Sequence, residues 1–279
     1  MKKVILFVSS MFVLSGCSLG FNHVEKEQNV TQLESSTSKG NEKTTSDLTP
    51  EAIEENSTAQ PSAPKLTLEA VFFNEIAQVD GEKIIQNPEN KLTLVNKVFA
   101  LPEDYIPGDL VRPDVEFSFG NQDIEKSYMR QEAASALEKM FADAKSQDIH
   151  LFAVSGYRSY QRQDDNFHNK VNKIGAEAAA KIVAYPGNSE HQTGLAIDIS
   201  SQSANFKLTE QFGGTPEGKW LMENAHRFGY ILRYPKGLET ITGYNYEPWH
   251  YRYVGLKAAA EIYKNQLTLE EYFNIVEKI

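Results

Sequence analysis

Two histidines in this chain stand in company that suits metal chemistry. His191 lies in Ser189-Glu190-His191-Gln192-Thr193-Gly194-Leu195-Ala196-Ile197-Asp198, after a Pro186-Gly187-Asn188 loop and at the entry to an expected strand. His250 lies in Glu247-Pro248-Trp249-His250-Tyr251, again where a strand is expected to begin. Two imidazoles and one carboxylate are a common ligand set for a catalytic zinc, which keeps a fourth position open. Asp198 alternates with Ala196 along its strand, so it can point to the same face as ligands at the loop end. Glu247, just before His250, is the right kind of group to take a proton from an attacking water. The other histidines are in plainer surroundings. His23 lies in a polar N-terminal stretch, His150 precedes a strand, and His168 and His226 sit inside expected helices, where a solvated or core role is the commoner fate.

The elements that must position these residues follow from the apolar pattern, which begins at Leu66. Ile76 to Val79 and Lys83 to Ile85 read as a hairpin around Asp80-Gly81, and Leu92 to Val98 alternates like a strand. Pro102, Pro107-Gly108 and Pro113 then keep the chain in a loop to about Val115. Helices are expected over Ser127 to Ala144, Ser159 to Ala184, Pro216 to Arg227, Leu256 to Asn265 and Thr268 to Lys278. Strands are expected over Ile149 to Val154, Leu195 to Ile199, Gly229 to Arg233 and Trp249 to Tyr253. Strands and helices alternate without βαβ regularity and without an internal repeat. The fold class is therefore α+β, with a small, mostly antiparallel sheet flanked by helices.

The 279 residues leave room for one sizeable domain or two small ones, and a net charge of -10 argues against a nucleic-acid partner. The N-terminus has its own logic. Lys2 and Lys3 precede an apolar run from Val4 to Leu14, too short to span a bilayer and suited to a signal peptide. The run ends in Leu14-Ser15-Gly16-Cys17, which resembles the bacterial lipobox and implies lipidation of Cys17 with cleavage before it. Cys17 is the only cysteine, so no internal disulfide forms and the fold must be held by its core or by a metal. From Ser18 to Pro64 the chain is polar, with eight acids against three lysines, and reads as a disordered tether. The expected organisation is a signal peptide over 1–16, a lipid-anchored tether over 17–64 and a catalytic domain over 65–279.

Three blocks, Ser155-Gly156-Tyr157-Arg158-Ser159, Ser189 through Asp198, and Glu247 through Tyr251, resemble the VanY-type D-alanyl-D-alanine carboxypeptidases, a family that includes LD-carboxypeptidases. The resemblance runs from about Leu92 to Tyr263. It implies the zinc DD-peptidase (hedgehog-like) fold and zinc held by His191, Asp198 and His250, with Glu247 as catalytic base. It also implies that Arg158 faces the scissile peptide, holding the terminal carboxylate or the developing oxyanion, and that Ser189 donates to the substrate carboxylate. Gln163, Tyr157, Trp249 and Tyr251 become candidate pocket walls, each of which the core would also accommodate.

The resulting expectation is a zinc carboxypeptidase, monomeric and lipid-anchored on the outer face of the cell membrane, that trims D-alanine from peptidoglycan stem peptides. Stems ending in D-Ala-D-Ala and tetrapeptide stems both remain open as substrates. Alternatives are an endopeptidase of the same fold and a non-catalytic zinc-binding surface lipoprotein. A solute-binding lipoprotein fits poorly, since such proteins usually need two α/β lobes.

Overall fold

The computed structural model describes residues 65–279, so the expected signal peptide, Cys17 and the tether lie outside the described residues. At the centre is a four-stranded sheet of β1 (Phe152–Ser155), β2 (Ala196–Ser200), β3 (Tyr230–Leu232) and β4 (His250–Tyr253). Their spatial order is β1-β2-β4-β3, antiparallel throughout. This is the small antiparallel sheet expected from the sequence, and the α+β class holds.

Alternation along the strands divides the sheet into two faces. Ile197 and Ile199 of β2, with Tyr251 and Tyr253 of β4, face the main core. There they meet Ala133, Leu137, Met140 and Phe141 of α1 (Gln131–Ser146) and Trp220 and Leu221 of α3 (Pro216–Asn224). The spacing of the α1 residues is that of one helical face, which is why this segment folds as an amphipathic helix. α2 (Tyr160–Ile174) is capped by the Ser159 hydroxyl, which accepts from the Arg162 amide. A second core joins α4 (Leu256–Asn265) and α5 (Leu269–Ile275) through Ala258, Ala259, Ile262, Leu269 and Tyr272, closing over Leu68 and Leu92. The hairpin forms as expected, Ile76–Val79 against Glu82–Ile85 around Asp80-Gly81.

Several expectations need correction. Leu92 to Val98 is not a strand. Its backbone is taken up by side chains instead: Asn74 bonds both the N–H and C=O of Leu94, and Asn96 accepts from the amides of Val98 and Phe99. The helix expected over Ser127 to Ala144 begins only at Gln131, because Met129–Arg130 pairs with Leu110–Val111. The helix expected from Ser159 to Ala184 ends at Ile174, where Gly175 adopts a φ of +84° that a helix cannot continue through. Only a short turn, Ala176–Ala179, follows. The helix expected through Arg227 ends at Asn224 and passes into a 3-10 turn, Ala225–Phe228. The last helix stops at Ile275, and Glu277–Lys278 pairs in parallel with Thr67–Leu68.

Candidate active site

The site lies on the face of the sheet opposite the main core. Asp198 of β2 and His250 of β4 are direct cross-strand partners. His191 comes from a short 3-10 turn, Glu190–Thr193, that leads into β2. Gly194 ends that turn with a φ of +67°, and a Cβ on it would sit 2.9 Å from Leu110 Cδ2 and 3.0 Å from Arg130 Cγ. A glycine is required there both by conformation and by space.

His191, Asp198 and His250 are all buried, and their donor atoms lie within 4.8 Å of one another. His191 Nε2 is 3.4 Å from Asp198 Oδ2, and His250 Nδ1 is 3.1 Å from Asp198 Oδ1. The second nitrogen of each ring is already engaged. His191 Nδ1 is 2.7 Å from the Gly156 carbonyl oxygen, and His250 Nε2 is 3.3 Å from Glu190 Oε2. Each ring thus turns one nitrogen to an acceptor and the other toward Asp198, the arrangement that outer hydrogen bonds give to metal-ligating histidines. Two imidazoles and a carboxylate meeting at one point fit a zinc ion.

The electrostatics agree. Burial pushes the Asp198 carboxyl up, but His191 and His250 outweigh it and hold the group well below the usual carboxylate range. Burial would pull His250 down, yet its hydrogen bonds to Asp198 and Glu190 raise it to about 9. His191 is lowered, first by burial and then by the Arg158 charge. Asp198 is therefore ionised at neutral pH, between the two imidazoles.

A cleft of about 900 Å³ opens onto this point, and Arg158, Gln163, Ser189, Glu247 and Trp249 line it together with the three candidate ligands. The Glu247 carboxylate makes no hydrogen bond among the described residues. Burial, reinforced by Asp198 and Glu190, pushes it up to about 7 against the pull of His250 and Arg158. A carboxylate near neutrality in a cleft is suited to taking up and returning a proton. Arg158 is oriented by Gln163, to whose Oε1 it donates at 2.8 Å, and by the Ser155 hydroxyl at 3.3 Å. Gln163 Nε2 donates to the Ala184 carbonyl at 2.7 Å, which fixes the amide that aims Arg158. The Ser189 hydroxyl has no partner among the described residues and borders the cleft.

Tyr157 and Tyr251, expected as pocket walls, are not among the cleft-lining residues. Tyr251 follows His250 in β4, so alternation sends its ring into the main core, where it is fully buried. Tyr157 is buried at the foot of the loop before α2. His150 and His168 are exposed and His226 stacks on Tyr263, all away from the cleft, as the sequence suggested. A group around Glu190 escaped the sequence reading. Arg233, Arg252 and Glu270 surround it, although Glu190 adjoins His191 and Arg252 shares the β4 face of His250.

The chain has known relatives. The sequence model of the family described as VanY, D-alanyl-D-alanine carboxypeptidase, matches residues 126–256. YodJ of Bacillus subtilis (strain 168) is 52% identical over 265 residues, covering 95% of this chain and 92% of that protein. The structure of the LdcB LD-carboxypeptidase is 59% identical with a TM-score of 0.75, covering 77% of this chain and 100% of that one. A mutant of the vancomycin-resistance D,D-pentapeptidase VanY, from a VanB-type resistance cassette and in complex with Zn(II), is 34% identical with a TM-score of 0.53. It covers 66% of this chain and 99% of that one.

Proposed function

The chain belongs to the VanY family of D-alanyl-D-alanine carboxypeptidases, and on that premise we propose that it removes the C-terminal D-alanine from peptidoglycan stem peptides. It is a metallocarboxypeptidase, and its metal is zinc. The observation that carries the reading is the convergence of His191, Asp198 and His250 at one point of a cleft bordered by Glu247 and Arg158.

His191, Asp198 and His250 would hold the zinc. When bound there it supplies Lewis acidity, polarising the scissile carbonyl and making water a better nucleophile near neutral pH. Glu247 accepts the proton of the attacking water and passes it to the nitrogen of the leaving D-alanine, a task for which a value near 7 suits it. Arg158, held by Gln163 and Ser155, presents its fork to the substrate carboxylate or the developing oxyanion, either of which meets two donors at once. Ser189 offers its hydroxyl to the same carboxylate.

The greater likeness to an LD-carboxypeptidase, 59% identity against 34% for the D,D-pentapeptidase, supports tetrapeptide stems as the preferred substrate. The test is D-alanine release from tetrapeptide and pentapeptide stems, with and without a chelator. Faster, chelator-sensitive release from the tetrapeptide supports the reading. Faster release from the pentapeptide reverses the preference, and release from neither stem overturns the activity.

Leu14-Ser15-Gly16-Cys17 supports lipid anchoring at Cys17, with the 17–64 segment as tether and the catalytic domain facing the cell wall. No described helix is long and apolar enough to cross a membrane. A Cys17→Ala variant should leave the membrane fraction, and its retention there would refute the anchor.

A further inference from the structure

We propose that Glu190 is a positioning residue for His250, fixing which ring nitrogen that ligand presents, and that Arg233 and Arg252 hold Glu190 to this task. The proposal rests on the reading of His191, Asp198 and His250 as zinc ligands.

The two ligand histidines are supported differently. His191 leans on a neutral backbone carbonyl, at 2.7 Å from Gly156. His250 leans on a carboxylate, with its Nε2 at 3.3 Å from Glu190 Oε2. A carboxylate in that place accepts the Nε2 proton, leaves the Nδ1 lone pair facing Asp198, and makes the ring a stronger donor. Glu190 and His191 are consecutive in one 3-10 turn, so a single turn supplies one candidate ligand and the support of another.

Glu190 is fully buried, and a free carboxylate in that position would compete for the cation itself. Its other oxygen shows why it does not. Oε1 accepts from Arg233 Nε at 2.8 Å and from Arg252 Nη1 at 2.8 Å. The arginines are fixed in turn. Arg252 donates to the carbonyls of Thr93 and Lys91, at 2.9 and 3.1 Å, and Arg233 makes a two-pronged pair with Glu270 of α5, at 2.8 and 2.6 Å. Two carboxylates and two guanidiniums balance, so the cluster is neutral without a metal, as a buried ionic group requires. Glu190 is thereby committed to the arginines through one oxygen and to His250 through the other.

Two variants separate positioning from mere support of the fold. Glu190→Asp keeps the charge that the arginines need but shortens the reach to His250. Glu270→Gln breaks only the outer pair, and Arg252 still holds Glu190. With the full-length chain in detergent, zinc affinity is read by competition with a chromophoric chelator and thermal midpoints are measured on the EDTA-treated protein. Glu190→Asp should weaken zinc binding about 10- to 100-fold, whereas Glu270→Gln should lower the midpoint and leave zinc affinity within about threefold. Long-range ¹H–¹⁵N spectra of the zinc-loaded wild type give a reading that no folding defect obscures. They should show His250 protonated at Nε2.

Zinc affinity lost by both variants in proportion to their thermal midpoints, or His250 protonated at Nδ1, overturns the proposal. A wild type that binds zinc and a Glu190→Asp variant that binds it equally well overturn this proposal alone. A wild type that takes up no zinc overturns the site assignment and this proposal with it.

Discussion

Replacing Glu247 by glutamine should slow the enzyme and, at the same time, stabilise its metal-free fold above neutral pH. The carboxylate is confined in the cleft by burial and by the negative charges of Asp198 and Glu190, which push it from an ordinary 4.5 up to about 7. A group raised in this way binds its proton more tightly folded than unfolded. Its cost is nil below about pH 4.5, grows as the pH rises from there, and is complete above about 7. At about 1.36 kcal/mol per pH unit, that interval sets a ceiling of about 3 kcal/mol, which the residue's partial contact with solvent reduces to about 1–2 kcal/mol. The neutral amide removes this cost. Urea unfolding of EDTA-treated protein should therefore show Glu247→Gln more stable than wild type by about 1–2 kcal/mol at pH 8, with little difference at pH 4. Turnover should move the other way, with kcat for D-alanine release down about 10²- to 10⁴-fold. Wild-type turnover would remove Glu247 from the chemistry. A variant less stable than wild type at pH 8 would refute the claim that burial strains this carboxylate.

Three further substitutions probe the neighbouring residues. Arg158→Ala should lower kcat/KM about 10²- to 10³-fold, worth about 3–4 kcal/mol of barrier, with zinc content unchanged; Arg158→Lys should recover little, because a single ammonium lacks the two-donor fork. Wild-type kcat/KM in Arg158→Ala would take the guanidinium out of the site. Tyr251→Phe should leave kcat/KM unchanged and stability equal or slightly higher, since the buried Tyr251 hydroxyl has no partner among the described residues; a raised KM would return Tyr251 to the substrate wall. Gly194→Ala should cost about 1–3 kcal/mol in urea unfolding, from its positive φ and the contacts its methyl group would make with Leu110 and Arg130. A neutral effect there would mean that the turn after His191 is not constrained.

The chemistry of this protein was more legible than its architecture. His191 with Asp198, and Glu247 with His250, sit close together in sequence, so residue type and spacing were enough to suggest the ligand set and the base. The helix over Leu256–Asn265 and the hairpin around Asp80-Gly81 were legible because periodicity and turn chemistry act locally. Long-range effects were not. The supposed strand at Leu92 to Val98 gives its backbone groups to Asn74, 20 residues away, and to Arg252, 159 residues from Thr93. The cluster around Glu190 joins residues 43 and 62 positions apart, with no periodicity to announce them. Gly175 was visible, but its power to end a helix depends on the positive φ it adopts, which composition alone does not fix.

The strand pairing that builds the core also assembles the site. In β4, His250 and Arg252 face the cleft side while Tyr251 and Tyr253 face the core, and β2 divides Asp198 from Ile197 and Ile199 in the same way. A slip of one residue between β2 and β4 would bury a charged ligand among apolar side chains and expose a tyrosine ring in its place. The register is therefore specified twice, by apolar contact on one face and by Asp198 opposite His250 on the other. The distance between those two ligands is then set by backbone hydrogen bonds of the sheet, and loop packing has to place only His191. That third placement falls to the Glu190–Thr193 turn, which Gly194 closes through its amide to the His191 carbonyl.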